Sequence, residues 1–246
     1  MITIASRIYN EESIIQDFID HYRDIADGGF YFYDDGSDDS TLDILANDPA
    51  VKHVIKGKRP VSSSASHNAQ NSQRQQIIAA ARKDMGPEDY LMLLDADDFL
   101  YFDIDLNHIP ADVLTFDAFD LYITEEDKDK PWQEREYVGP EFRTVIMAIK
   151  NKAYRGLRND RTILTNAGFQ MITPAGYLKH VGKAVSVDYW ERKCAHYSAD
   201  NMPTKYKQKW ELRKGKAIHK VSDFNRPLLK WQDLKNNKTK MVDITA

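Results

Sequence analysis

Residues 90–98 read Tyr-Leu-Met-Leu-Leu-Asp-Ala-Asp-Asp, an apolar run that ends in three carboxylates. A continuous apolar run of this length is typical of a strand that is buried on both faces, as in a parallel sheet covered by helices. In open α/β sheets, ligands bind beyond the carboxyl ends of the strands. Asp95, Asp97 and Asp98 therefore mark the predicted ligand-binding edge of the sheet.

Strands and helices alternate before this run. Residues 2–6, 30–33 and 51–55 have strand character, and amphipathic helical segments separate them. The alternation predicts an α/β fold with a mostly parallel central sheet flanked by helices. Asn10 is predicted to cap the first helix, with Glu11 and Glu12 in its first turn.

The segments after residue 100 give weaker signals. Residues 116–124 and 142–149 are predicted to form further strands, and the charged stretch between them, residues 125–136, is predicted to be mobile.

A second acidic cluster, Asp34 and Asp35, ends the second predicted strand. Carboxylates packed together raise one another's pKa unless a cation or a hydrogen-bond donor neutralises them. Mg²⁺ or Mn²⁺ suits such a site, because these ions accept a few carboxylate ligands and fill the remaining positions with diphosphate oxygens and water. The alternative is an Asx turn around Gly36.

Composition limits the classes of protein. The chain has 246 residues, a net charge of −4 and one cysteine, Cys194, so it can form no internal disulfide. No apolar run is long enough to cross a membrane, and the N-terminus has no secretory signal pattern, so a cytoplasmic protein without a transmembrane segment is expected. Residues 203–240 carry twelve basic and three acidic residues. They form either a solvated helical face or a surface that contacts a polyanion.

Three motifs occur in order on these elements: Asn10-Glu11-Glu12 before a helix, residues 34–39 (Asp-Asp-Gly-Ser-Asp-Asp) after a strand, and residues 95–98 after the apolar strand. Over residues 1–102 this order resembles glycosyltransferase family 2. The resemblance implies a GT-A (Rossmann-like) fold with a nucleotide-sugar-binding half at 1–102 and an acceptor-binding half at 103–202. Residues 203–246 are expected to form a basic, largely helical C-terminal extension. Residues 95–100 with His196-Tyr197 and Lys209 also resemble, more loosely, the branch related to family 92.

The resemblance implies a set of site residues. It assigns nucleotide-sugar binding to Ser6, Asn10, Asp34, Asp35, Arg74 and Asp95, and the Mn²⁺ or Mg²⁺ site to Asp97, Asp95 and His196. Each of these residues also has an ordinary structural interpretation, such as a helix cap, a turn or a core histidine.

Family 2 enzymes usually invert the anomeric centre, which requires a carboxylate to accept the proton of the acceptor hydroxyl. Asp160 between two arginines is the first candidate and Asp188 the second, although a surface ion pair explains Asp160 equally well. The sequence departs from the family pattern in two ways. Arg7-Ile8 stands where a proline usually precedes Tyr-Asn, and no clear Glu-Asp pair occurs in the second half.

These features predict a metal-dependent glycosyltransferase that moves a sugar from a nucleotide diphosphate, with uridine as the family default, to a glycan, a lipid or a modified nucleic acid. Three alternatives stay open. The first is an enzyme that glycosylates hydroxymethylated pyrimidines in DNA, which it would hold through the basic C-terminal region. The second is a nucleotidyltransferase, which lacks support because no Gly-rich, Lys-containing phosphate loop occurs near the N-terminus. The third is a non-catalytic nucleotide- or carbohydrate-binding module.

Overall fold

The structure is a computed structural model that describes residues 1–58, 66–106, 108–109, 111–158, 162–172, 174–198 and 204–245. Contacts divide the chain into two compact units. Unit 1 comprises Met1–Asp97, Phe102–Phe116 and Ile146–Ala175, and unit 2 comprises Asp98–Tyr101, Asp117–Val145 and Gly176–Ala246. The fold is mixed α/β and is built on a mostly parallel sheet with flanking helices. Among the described residues, no helix is both long and apolar enough to span a lipid bilayer.

Unit 1 begins with alternating strands and helices, as the sequence predicts. These elements are β1 (Ile2–Ile8), α1 (Ile15–Tyr22), β2 (Gly29–Asp34), α2 (Thr41–Asn47), β3 (Val51–Lys56), α3 (Ser66–Ala81) and β4 (Tyr90–Leu93). The four strands run in the order β3-β2-β1-β4, and each neighbouring pair is parallel. The order therefore reverses beside β1, between β1 and β4.

Strand β2 is covered on both faces because its side chains alternate between the two sides of the sheet. Phe30 and Phe32 point to one side, where both rings meet Phe18 of α1 edge to face. Tyr31 and Tyr33 point to the other side and join a buried cluster with Ile77, Ile78 and Ala81 of α3. Such two-sided burial explains the uninterrupted apolar character of the strand.

Unit 1 also contains three strands from the middle of the chain. They are β8 (Tyr154–Arg158), β9 (Thr162–Thr165) and β10 (Met171–Ile172), of which β8 and β9 form an antiparallel pair. Two longer strands, β6 (Val113–Leu121) and β7 (Tyr137–Lys150), contribute residues to both units. The sequence places these two strands at 116–124 and 142–149, so both begin earlier than expected.

Unit 2 contains β5 (Asp98–Phe102), β11 (Gly176–His180), α4 (Val187–Tyr197), α5 (Thr204–Glu211), β12 (Leu229–Lys230), α6 (Trp231–Asn236) and β13 (Val242–Asp243). Strand β11 lies between β6 and β5, and it pairs with β6 in parallel. The short strands β12 and β13 both pair with β7. The basic residues 204–245 thus include two short helices and two short strands, and their separation as an extension stays a prediction.

Two local predictions need correction. Asn10 does not cap the first helix, which begins at Ile15, because Asn10 has a left-handed backbone conformation (φ 53°) and its side chain pairs with Asp38. The stretch 125–136, predicted to be mobile, is instead held by the buried guanidinium of Arg135. This group donates hydrogen bonds to the carbonyl oxygens of Asp127, Lys128, Lys130 and Ala184.

Candidate functional site

The carboxyl ends of the parallel strands bring the predicted nucleotide-binding residues to one edge of unit 1. In the register, Ile8 of β1 is opposite Asp34 of β2, and Ala5 of β1 is opposite Leu93 of β4. Asp34 therefore ends the strand on one side of β1 and Asp35 follows it, and Asp95 follows the strand on the other side. Strands β2 and β4 lie on either side of β1, two strand spacings or about 10 Å apart. This edge of the sheet beside β1, where the strand order reverses, is the position where open α/β sheets bind ligands.

Asp34 forms a local turn. Its carboxylate is 1% exposed and accepts hydrogen bonds from the backbone N–H groups of Gly36 (3.0 Å) and Ser37 (3.1 Å). Gly36 has a φ of 83°, a conformation that favours glycine. The Asx-turn interpretation is therefore correct for the geometry of Asp34.

Asp35, in contrast, binds side chains from distant segments. Arg7 Nη2 donates to Asp35 Oδ2 at 2.6 Å, and Gln73 Nε2 of α3 donates to Asp35 Oδ1 at 2.6 Å. Arg7 Nε also donates to Gln73 Oε1 at 2.7 Å, which closes a ring of three hydrogen bonds. Asp35 is 2% exposed, so these donors replace the water that an ionised carboxylate requires.

Arg74, which follows Gln73 in α3, contacts Asp95, which follows β4. Arg74 Nη2 forms an ion pair with Asp95 Oδ1 at 2.8 Å, and both side chains are largely buried. Arg74 Nε and the hydroxyl of Ser6 are also buried, and neither has a hydrogen-bond partner among the described residues. Two adjacent α3 residues, Gln73 and Arg74, thus contact the carboxylates on the two sides of β1.

Asn10 connects the loop after β1 to the loop after β2. Its side-chain amide donates to Asp38 Oδ1 at 2.6 Å and its oxygen accepts from the backbone N–H of Asp38 at 2.9 Å. Its own N–H donates to the hydroxyl of Ser37 at 2.9 Å. The Asp-Asp-Gly-Ser-Asp-Asp motif is therefore held in a fixed conformation at the edge of the sheet.

Asp98, at the start of β5, forms a buried pair with a histidine that sequence reasoning missed. Asp98 Oδ1 lies 2.9 Å from Nδ1 of His180, the last residue of β11. The side chain of Asp98 is 4% exposed and that of His180 is 19% exposed. Asp97, the residue before Asp98, is also buried. The separation of 82 positions between Asp98 and His180 explains why no local motif predicted this pair.

Unit 2 also contains a chain of four alternating charges, of which Lys183 is the buried member. Lys183 Nζ lies 2.5 Å from Asp120 Oδ2 and 3.1 Å from Asp223 Oδ2, and Arg213 reaches Asp223 at 2.5 Å. Burial alone would raise the pKa of Asp120, but Lys183 and then His180 hold it well below its usual range. For Lys183, burial opposes the charge, yet Asp120 raises the pKa above its ordinary value. Both groups are therefore charged at neutral pH.

The remaining predicted residues lie elsewhere or outside the described part of the chain. Asp160 is outside the described residues. Asp188 is exposed in the first turn of α4, which Ser186 caps. His196 is half-buried in the last turn of the same helix, where its ring packs edge to face on Tyr197. The roles predicted for these three residues stay predictions.

Comparison with known proteins gives weak similarities. No protein-family model and no curated protein sequence matches the chain. Among solved structures, S. aureus TarS is 11% identical over 85% of this chain and 42% of its own, with a TM-score of 0.36. S. aureus TarS 1–349 in complex with UDP is 13% identical, with coverages of 85% and 69% and a TM-score of 0.36.

HddC from Yersinia pseudotuberculosis is 10% identical over 87% of this chain and 100% of its own, with a TM-score of 0.32. The chain spans less than half of the full TarS chain. Similarity at this level assigns neither a family nor an activity.

Proposed function

We propose that the chain is a metal-dependent glycosyltransferase that uses a nucleotide diphosphate sugar. The observation that carries the proposal is the convergence of Asp35 and Asp95 on the two sides of β1, at the point in unit 1 where the strand order reverses. A sheet edge with fixed carboxylates and an arginine suits a ligand that combines a ribose, which offers hydroxyl groups, with a diphosphate, which needs cations. The motif order that resembles glycosyltransferase family 2 supports the same conclusion.

Within this proposal, residues of β1 and β2 bind the nucleoside. Ser6 has a buried hydroxyl on β1, and Asn10 and Asp34 shape the loops at this edge of the sheet. Asp35 accepts hydrogen bonds on both carboxylate oxygens, so its role is to hold Arg7 and Gln73 in place at the rim. Arg74 is positioned by Asp95 and would face the diphosphate.

The proposed metal ligands are Asp97, Asp98 and His180. Two carboxylates and an imidazole form a donor set that suits Mn²⁺, and Asp98 and His180 already stand at hydrogen-bonding distance in a buried environment. His180 replaces His196 in our proposal because its ring nitrogen lies against Asp98, whereas the ring of His196 packs on Tyr197. A bound divalent cation would supply charge neutralisation for the leaving diphosphate. Asp95 would hydrogen-bond the ribose or a metal-bound water.

The proton acceptor for the attacking hydroxyl is proposed on the basis of the family resemblance alone. Inversion requires a carboxylate on the acceptor side. Asp160 and Asp188 are the two candidates, and the exposed position of Asp188 leaves it accessible to a bound acceptor.

The test measures thermal stability with UDP-sugars in the presence and absence of Mn²⁺, together with metal-dependent hydrolysis of the donor. Uridine is chosen because the family resemblance implies it. The wild type should gain stability from the nucleotide sugar only when Mn²⁺ is present, because a ligand that binds the folded state alone stabilises it by mass action. Asp97→Ala should abolish donor hydrolysis, and Asp98→Asn should weaken Mn²⁺ binding by about tenfold or more.

Asp105→Asn is the matched control, because Asp105 pairs with His108 at 3.2 Å but both side chains are strongly exposed. This variant should behave as the wild type. Binding of the nucleotide sugar without any hydrolysis would support a binding module instead. Release of pyrophosphate from a nucleoside triphosphate would support a nucleotidyltransferase. Equal behaviour of Asp98→Asn and Asp105→Asn would contradict the proposed metal site.

A further inference from the structure

Unit 2 contains an open cleft of about 430 Å³, a volume within the range of about 300–1,000 Å³ that is typical of small-molecule sites. Its walls come from the segment that precedes β7, from β11 and from the start of α6. Three cationic side chains line it, Lys130, Arg135 and Lys179, together with two carboxylates, Glu134 and Glu136. The lining therefore carries a net positive charge.

The charged groups of this lining differ in what they contact. Arg135 donates to four backbone carbonyl groups, and Glu136 Oε2 pairs with Lys230 Nζ at 3.2 Å. Lys179 differs from them, since within the described part of the chain no carboxylate or carbonyl group pairs with its ammonium group. A partly buried ammonium group without an anionic partner is unfavourable, because it loses water and gains no equivalent contact in return.

Two aromatic rings hold the ammonium group of Lys179 in place. Its Nζ lies 5.0 Å from the ring centroid of Tyr101 and 5.0 Å from that of Trp231. The Trp231 ring itself packs edge to face with Phe119 (5.5 Å) and Tyr177 (5.4 Å). These cation–π contacts fix the position of the charge, but neutral rings leave the charge itself uncompensated.

A second cation increases the positive potential at this position. Lys235 Nζ of α6 lies 6.0 Å from the centroid of the Trp231 ring, which Lys179 also contacts. The two ammonium groups repel one another, and an anion beside Lys179 would offset that repulsion. Tyr101 does not supply the anion, because burial raises the pKa of its hydroxyl above the ordinary value and keeps it neutral.

The side chain of Lys179 points away from the proposed metal site. Consecutive side chains of a strand point to opposite faces of the sheet, and Lys179 and His180 are consecutive in β11. His180 contacts Asp98, whereas Lys179 contacts Tyr101 and Trp231. The cleft beside Lys179 is therefore separate from the site proposed for the divalent cation.

We propose that this cleft binds a small molecule with one anionic group, a carboxylate or a phosphate, that pairs with the ammonium group of Lys179. The amide groups of Gln133 and Gln232 are exposed in the same lining and can form hydrogen bonds with the uncharged part of the ligand. The carboxylates of Glu134 and Glu136 repel further negative charge, which disfavours a polyanion such as a nucleic acid. The proposal depends on the cleft alone and goes beyond the proposed transferase function.

The test compares glucose 6-phosphate, glucuronate and glucose, which share a sugar ring and differ in the anionic group. Each is titrated at neutral pH into the full chain with isotope-labelled lysines, and EDTA is present so that no divalent cation recruits the ligand to the proposed metal site. The NMR signal of Lys179 is assigned by its absence in Lys179→Met. At least one of the two anions should bind and shift this signal, whereas glucose should not. The anion that binds more tightly identifies the preferred group as a phosphate or a carboxylate.

Lys179→Met removes the charge and retains an unbranched side chain. It should weaken binding of the preferred anion by about tenfold or more, the loss typical of one hydrogen bond to a charged group. Lys220→Met is the matched control, because Lys220 is an exposed lysine of unit 2 that lies outside the cleft lining. The control should bind the anion as the wild type does. Thermal unfolding of both variants checks that they are folded.

Four outcomes would overturn the proposal. They are equal binding of glucose and the anions, equal affinity of the wild type and Lys179→Met, no binding of either anion at tens of millimolar, and binding that leaves the Lys179 signal unchanged. Equal losses in Lys179→Met and Lys220→Met would assign the binding to general surface charge and would also contradict it. Tighter binding of a short single-stranded DNA, abolished by Lys179→Met, would identify a polyanion surface instead.

Discussion

Unit 1 and unit 2 stabilise their paired carboxylates in different ways. In unit 1, Asp34 binds backbone N–H groups of its own turn, and Asp35 binds one cation and one neutral amide. In unit 2, Asp120 depends on Lys183, which also serves Asp223. In unit 1 most of the donors are neutral groups, whereas in unit 2 the partners are cations and Lys183 serves both carboxylates. Loss of a single charged side chain should therefore lower the free energy of unfolding more in unit 2 than in unit 1.

The largest effect is expected for Lys183→Met. The change leaves Asp120 and Asp223 without their common cation. Removal of one partner from a buried ion pair typically costs about 3–5 kcal/mol, and since both carboxylates are partly exposed we expect a loss of about 3 kcal/mol. Urea-induced unfolding measures the loss. Lys214→Met is the control, because Lys214 pairs with Glu211 on the surface, where such pairs contribute about 0–1 kcal/mol. A loss for Lys183→Met as small as that of the control would show that the alternating charges do not stabilise unit 2.

A smaller effect is expected for Asp35→Ala in unit 1. Arg7 and Gln73 each lose an acceptor but keep the hydrogen bond between them, so the free energy of unfolding should fall by about 2–3 kcal/mol. The same unfolding experiment applies. Asp20→Ala removes an exposed carboxylate that pairs with Arg23 in the same unit, and it should cost less than about 1 kcal/mol. If Asp35→Ala costs more than Lys183→Met, the ranking of the two units is reversed.

The smallest effect concerns pH. Lys179 of β11 lies between the rings of Tyr101 and Trp231, 5.0 Å from each centroid, and burial, together with the nearby Lys235, lowers its pKa from 10.5 to about 8. The unfolded chain therefore binds this proton more tightly than the folded chain does. The resulting contribution makes the free energy of unfolding rise as pH increases above about 8.

This rise is measured by unfolding between pH 7 and about pH 10, the point at which ordinary tyrosines ionise. Lys179→Met should flatten it, whereas Lys214→Met should leave it intact. An unchanged pH dependence in Lys179→Met would assign the slope to other groups. A slope that disappears in both variants would indicate a general effect of net charge rather than the buried amine.

The sequence predicts unit 1 better than unit 2 for a physical reason. Strands β2 and β4 are continuous apolar segments followed by carboxylates, so local patterning identifies both strands and their ligand-binding ends. The pattern fails at Asn10, where side-chain hydrogen bonds to a distant loop favour a left-handed turn over a helix cap.

In unit 2 the important contacts join segments that are far apart in the chain. His180 follows the ordinary strand sequence Gly-Tyr-Leu-Lys, and nothing near it indicates that Asp98 will be its partner. The same is true of Arg135, whose four carbonyl acceptors carry no sequence signal because every residue has a carbonyl group. Such contacts are determined by topology, which single-sequence patterns do not specify.

Adjacent positions on one helix have a mechanical consequence. Gln73 and Arg74 are consecutive in α3, and they form hydrogen bonds with Asp35 and Asp95, which lie on opposite sides of β1. Rotation of this helix about its axis would distort both hydrogen bonds at once. A diphosphate that moved Arg74 away from Asp95 would therefore also change the position of the Gln73 amide that donates to Asp35. In the proposed function, contact of the diphosphate with Arg74 would therefore also affect the hydrogen bond between Gln73 and Asp35.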